Sequence, residues 1–200
     1  VRAQVRYVAV EIDKGRIVPR PAATTLASRF GDCKDKVALM RAMLTAIDIP
    51  SRAVLASAGN PVSSDLCTPF QFNHCILAMP AAAVGPNISS FPAVVDKWLF
   101  YDPTDPSLPL GRLPSVLHDS HVLIAAPDSG ALVHFPPLPE QEYRRVYAAD
   151  ARITDSGGVE ASVIITDHGN WAAATAYSAK HKGDKEEIET IRKHLAGALS

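Results

Sequence analysis

Two hundred residues with 47% apolar and 20% charged content suffice for one substantial core, or one core with a small second unit, and exclude a disordered chain. The formal charge of -1, with no arginine-rich or lysine-rich block, gives no broad attraction for phosphate backbones, so nucleic acid is not an expected partner. No apolar run approaches the roughly 20 residues of a membrane span, and three cysteines, Cys33, Cys67 and Cys75, are too few for a disulfide scaffold.

The start, Val1-Arg2-Ala3-Gln4, carries neither an initiator Met nor a signal-peptide pattern, so the chain is expected to be part of a longer one with flanking domains. Residues 5–12 alternate loosely and read either as a strand or as the end of a truncated helix. Pro19-Arg20-Pro21 punctuates, and 22–29 predicts a short helix ending before Gly31. From Cys33, the apolar residues Val37, Met40, Leu44 and Ile47 recur at steps of three or four, with Leu39 and Met43 widening the stripe. That spacing predicts a buried helix ending near Asp48, closed by Pro50. Residues 52–56 read as a strand, and 57–70 as a surface loop bordering a cleft. Strand signals return over 72–79 and 97–101, a pair of candidate neighbours, and again over 121–126 and 131–135. Pro136, Pro137 and Pro139 mark a boundary, giving two expected domains, 1–138 and 139–200. The second begins with extended residues 143–153, a turn at Asp155-Ser156-Gly157-Gly158 and a strand over 159–166, a hairpin signature. Residues 171–177 are ambiguous, and 184–199 predicts a helix with Asp184 as its N-cap and Ile188, Ile191, Leu195 and Leu199 on one face.

The chemistry lies in three segments. Gly31-Asp32-Cys33-Lys34-Asp35-Lys36 puts a thiol at a helix start, where unpaired amides and the neighbouring lysines favour thiolate over thiol. Asn73-His74 supplies an imidazole, and Tyr101-Asp102-Pro103-Thr104 a carboxylate. Thiol catalysis of acyl transfer needs this set: a sulfur nucleophile, an imidazole to hold or take its proton, and a group that fixes the imidazole tautomer. Taken singly, each residue has a plainer reading: Cys33 as a small buried hydrophobe, His74 as a strand residue and Asp102 as a turn cap. Their order and context favour the site. Asp32 and Asp35 read as helix caps. His118 and His121 have HxxH spacing but no further ligand at a familiar interval, so no metal site and no cofactor is expected.

Gly31 to Lys36 followed by Leu39, then Asn73-His74, then Trp98 to Thr104 resembles the transglutaminase-like domain of bacterial proteins, a branch of the papain-like cysteine peptidase superfamily. The likeness covers roughly residues 5–115. It implies an α+β fold, a papain/transglutaminase-like core with a central helix packed on an antiparallel sheet, which the residues after 138 follow with a small, partial β-rich unit and a terminal helix. It also implies Cys33 as nucleophile, His74 as base and Asp102 as orienter, a peptide or protein substrate, and a cell-envelope or periplasmic setting. Animal transglutaminases have tryptophan directly after the cysteine, where this chain has Lys34, so protein crosslinking is not carried over. No acidic cluster resembles a calcium site. The expected activity is cysteine-dependent amide hydrolysis or acyl transfer. The alternative is a catalytically idle module that binds a peptide or envelope polymer.

Overall fold

The computed structural model describes residues 1–9, 17–66, 68–85, 87–88, 90–127, 129–182, 188–189 and 192–193. The chain divides into two compact units, Val1–Leu138 and Pro139–Ser200. It is mixed α+β, with three helices among the described residues and strands that pair mostly antiparallel.

In the first unit, strand β1 (Arg6–Tyr7) pairs in parallel with β2 (Phe30–Gly31). Helix α1 (Ala22–Ser28) lies between them and stops where Arg29 turns left-handed, its N–H donating to the Thr25 carbonyl. Helix α2 (Cys33–Thr45) follows β2 after one residue, and its Lys, Ala, Leu, Met and Arg content favours the helix. Asp48, also left-handed with φ 57°, then turns the chain out. The expected stripe is buried only at its front. Val37 and Leu39 are 1% and 3% exposed, whereas Met43 is 51% exposed and Ile47, beyond the helix end, 64%. Periodicity marks a face, but it does not say how far along that face the sheet extends.

The six-stranded antiparallel sheet has the order β5-β6-β4-β3-β7-β8. These strands are β3 (Arg52–Ala56), β4 (His74–Pro80), β5 (Val94–Val95), β6 (Trp98–Tyr101), β7 (Ser120–Ile124) and β8 (Ala131–Phe135). Central β4 is buried from Cys75 to Met79, as a strand covered on both faces must be. The sheet curls enough to bring Phe100 of β6 within 4.6 Å of Phe135 of β8, ring edge to face, although three strands separate them in order. Ile76, Leu77, Leu99, Leu113, Leu117 and Val122 complete that core, and α2 lies against β4 and β3. Each such side chain, fully buried, contributes about 1.5–3 kcal/mol relative to exposure.

In the second unit, β9 (Tyr143–Ile153) and β10 (Val159–Gly169) form a long hairpin. Helix α3 (Asn170–Lys182) follows at once and resolves the ambiguous stretch 171–177 as helix. Gly169 takes φ 58° at this junction, and a Cβ there would lie 1.9 Å from the Glu142 carbonyl oxygen, so only glycine fits. The helix is tied to the hairpin by side chains. Arg145 grips the Asp167 carboxylate at 2.5 and 2.7 Å, Thr175 donates to Asp167 at 2.6 Å, and the Arg145 guanidinium lies 4.1 Å above the Trp171 ring. Isolated hairpins are marginal in water, and this packing supplies what the hairpin lacks. The helix expected over 184–199 lies for the most part outside the described residues, as do Cys67 and residues 10–12 of the first strand candidate. Among the described residues no helix is long and apolar enough to cross a membrane.

Candidate active site

Cys33 is the first residue of α2, and the chain before it is built to fix that position. Asp32 is the N-cap: its carboxylate accepts from the Asp35 N–H at 3.2 Å, while the Asp35 carboxylate accepts from the Asp32 N–H at 3.4 Å, a reciprocal capping box. Asp35, 1% exposed, is also held by Arg20, whose backbone N–H and Nε each donate at 2.8 Å. Such charge-assisted bonds satisfy a buried carboxylate. Lys34 pairs with Asp32. Gly31 completes the arrangement, because a Cβ there would lie 2.7 Å from the Asp35 Cβ and 3.1 Å from both Arg20 Nη2 and Thr25 Cγ2. The thiol is part-exposed.

His74 opens β4, opposite Ala56 at the end of β3. Its neighbour Asn73 clamps the incoming loop: Oδ1 accepts from the Ala58 N–H at 2.7 Å and Nδ2 donates to the Ala58 carbonyl at 3.2 Å. The β4–β6 ladder pairs Leu77 with Tyr101. Carried one residue further, that register sets Asp102 opposite Ile76, diagonal to His74 on the same face of the sheet. The two side chains meet there, His74 Nε2 lying 2.8 Å from Asp102 Oδ2. The other carboxylate oxygen, Oδ1, accepts from the Thr104 N–H at 2.8 Å and its hydroxyl at 2.6 Å. Asp102 thus both closes its own Asx turn and holds the imidazole.

His74 and Asp102, two of the three residues singled out in the sequence, are thus in direct contact, and Cys33 lies near enough to act on the same imidazole. Burial works against the charged ring, but the hydrogen bond to the Asp102 carboxylate and the attraction of Asp102 and Cys33 outweigh it and raise the His74 pKa to about 9. The ring is therefore an imidazolium at neutral pH. For Asp102, burial favours the neutral acid, yet the His74 bond and charge and the two Thr104 donors hold its pKa below the ordinary carboxylate value. Cys75 differs sharply. Burial, reinforced by the nearby Cys33, pushes its thiol up to about 12 and keeps it protonated and inert.

Lys36, in the sequence a general source of positive potential, is 3% exposed. Its ammonium lies 6.0 Å from the Tyr7 ring centroid. Burial lowers its pKa, the Asp102 carboxylate opposes that lowering, and the Arg2 guanidinium adds to it. The signal was its spacing, three residues after Cys33 and so on the same side of the helix. Of the remaining histidines, His118 Nδ1 is 3.1 Å from the Pro136 carbonyl and His121 Nδ1 is 3.1 Å from that of Val62. Among the described residues no three His, Cys, Asp or Glu side chains gather as a metal site.

Thiol, imidazole and carboxylate in this order can pass a proton between sulfur and ring while the carboxylate fixes the ring's tautomer and orientation. Comparison with known protein families, curated proteins and solved structures finds no match to this chain.

Proposed function

We propose that the protein is a cysteine-dependent amide hydrolase or acyltransferase of peptidase-like kind, on a papain- and transglutaminase-like core, acting on a peptide or protein through a thioester on Cys33. The observation that carries this reading is the 2.8 Å contact of His74 Nε2 with Asp102 Oδ2, with Cys33 at the start of α2 close enough to act on the same ring. Asp102 occupies Nε2, so in this reading Nδ1 carries the proton exchanged with the sulfur.

The Cys33 thiolate attacks the carbonyl carbon of the amide, and the carbonyl electron pair moves to oxygen. The Cys33 backbone N–H, at the N-terminus of α2 with no carbonyl partner inside the helix, is positioned by type to donate to that oxyanion. The intermediate collapses, the C–N bond breaks, and the His74 imidazolium gives its proton to the departing amine. The now neutral ring takes a proton from water or from an acceptor amine, which attacks the thioester and expels the thiolate. Asp102 stabilises the imidazolium and holds the ring in place, and it exchanges no proton itself.

The test is a peptide-amide library incubated with the 200-residue protein and with its Cys33→Ala variant. Amine release that depends on Cys33, with an acyl adduct on Cys33 in the intact mass, is the expected result. No release and no adduct from any pool would leave the idle peptide-binding or polymer-binding module as the reading.

A further inference from the structure

His121 is one half of the His118-x-x-His121 spacing in the sequence, and the sheet gives it a different partner. Antiparallel pairing of β7 with β8 sets His121 directly opposite His134, and the two ring centroids lie 4.8 Å apart. The neighbours of His134 in β8, Val133 and Phe135, are buried, so by alternation His134 faces outward from the core. His118 does not join the pair: its ring lies 6.3 Å from that of buried Phe135, and its Nδ1 is taken by the Pro136 carbonyl. The tautomer of neutral His121 is fixed. Its Nδ1 lies 3.1 Å from the Val62 carbonyl, which only accepts, so Nδ1 carries the proton and Nε2 keeps its lone pair. A metal-ligating histidine is ordinarily held by such a bond from its other nitrogen to a backbone carbonyl. An ion about 2.0–2.1 Å from two imidazole nitrogens sets the ring centroids about 4.6–5.3 Å apart for angles of about 90–109° at the metal, and the observed 4.8 Å falls within that range. Asp119 Oδ1, 3.8 Å from His134 Nε2, adds a negative charge beside the pair.

We propose that His121 and His134 form a binding site for one divalent transition ion of the zinc class, held by two imidazoles from adjacent strands and completed by water. Imidazole ligands suit zinc, copper and nickel, whereas calcium and magnesium take oxygen. Two protein ligands on an outward sheet face make an open site, unlike the four-ligand cage of a structural zinc. The pair shares no residue with Cys33, His74 and Asp102, so the site stands apart from the thiol-acylation reading.

The test titrates zinc chloride into the Cys33→Ala protein, whose thiol can no longer take the ion, with calorimetry for stoichiometry and 15N NMR of the imidazole nitrogens for the ligands. One ion per chain is expected, with the signals of His121 Nε2 and one His134 nitrogen moving together while His121 Nδ1 keeps its proton. His121→Gln and His134→Gln should each weaken binding by roughly tenfold or more, since even a group that only orients a ligand is worth that much. His181→Gln, in the second unit, should leave it unchanged. Weak uptake spread over all the histidines, an adventitious ion only, overturns the inference, and so does binding that survives either substitution of the pair. The NMR arm uses the unsubstituted pair and stays decisive if a variant fails to fold: His121 and His134 signals that do not move at saturating zinc sink the proposal.

Discussion

Asp102 illustrates how single residues serve two ends here. One oxygen is spent on Thr104, as any turn aspartate's would be, and the other is free for His74. The turn is what makes the carboxylate rigid enough to orient a ring. The coupled pair has a consequence for stability. His74 binds its proton more tightly folded, at about 9, than unfolded, near 6.5, so its contribution is complete below 6.5 and is lost as pH rises through 9. Asp102, displaced downward, contributes above its unfolded value and loses that contribution as pH falls. Urea unfolding at pH 6.5 and 9.5 should therefore show a loss of up to about 3 kcal/mol at the higher pH. His74→Gln should flatten that difference. Equal pH dependence in the two proteins would mean that the ring is not held as described. The three candidate residues stand out because each sits in a short motif, and two of them, His74 and Asp102, meet in the structure. The burial of Lys36 does not, because it depends on the distant Tyr7, which no local pattern connects to it.

At the scale of elements, the start of α2 fixes where Cys33 lies. Capping box, Arg20 clamp and Gly31 together aim Cys33, and they depend on one another through Asp35. Gly31→Ala would push a methyl group against the Asp35 Cβ, a helix-borne atom that cannot swing aside. The expected cost is about 1–3 kcal/mol, read as a lower melting temperature, together with slower labelling of Cys33. A variant with unchanged melting temperature and labelling would show that the close approach is relieved elsewhere. Local signals such as Asp32 before the apolar stripe, and Pro50 after it, marked this helix well. The outward turn of Met43 and Ile47 was unreadable, since it depends on where β3 and β4 end beneath the helix. The parallel pairing of Arg6–Tyr7 with Phe30–Gly31 was equally hidden, being two residues long and joined across α1. Helix α3 escaped for a similar reason: its alanine-rich sequence has little stripe, and its anchors, Arg145 and Asp167, lie in the hairpin.

At the scale of the molecule, the core belongs to one curled sheet whose middle strands, β3 and β4, are also those that α2 rests on, so Cys33 and His74 are both held by the first unit's core. Alternation and turn residues disclosed nearly every long strand, including Arg52–Ala56 and both arms of the hairpin. They did not disclose the curl that brings Phe100 to Phe135, because strand order and twist are properties of the assembled sheet. The central claim is that Cys33 is activated by the His74–Asp102 pair to which the sheet holds it. The most direct measurement is the second-order rate of iodoacetamide alkylation at Cys33 at pH 7, resolved from Cys75 by peptide mass, in wild-type and His74→Ala proteins. Wild-type Cys33 is expected to react far faster than Cys75, and His74→Ala to slow it by roughly tenfold or more. Equal rates at Cys33 with and without the imidazole would contradict it.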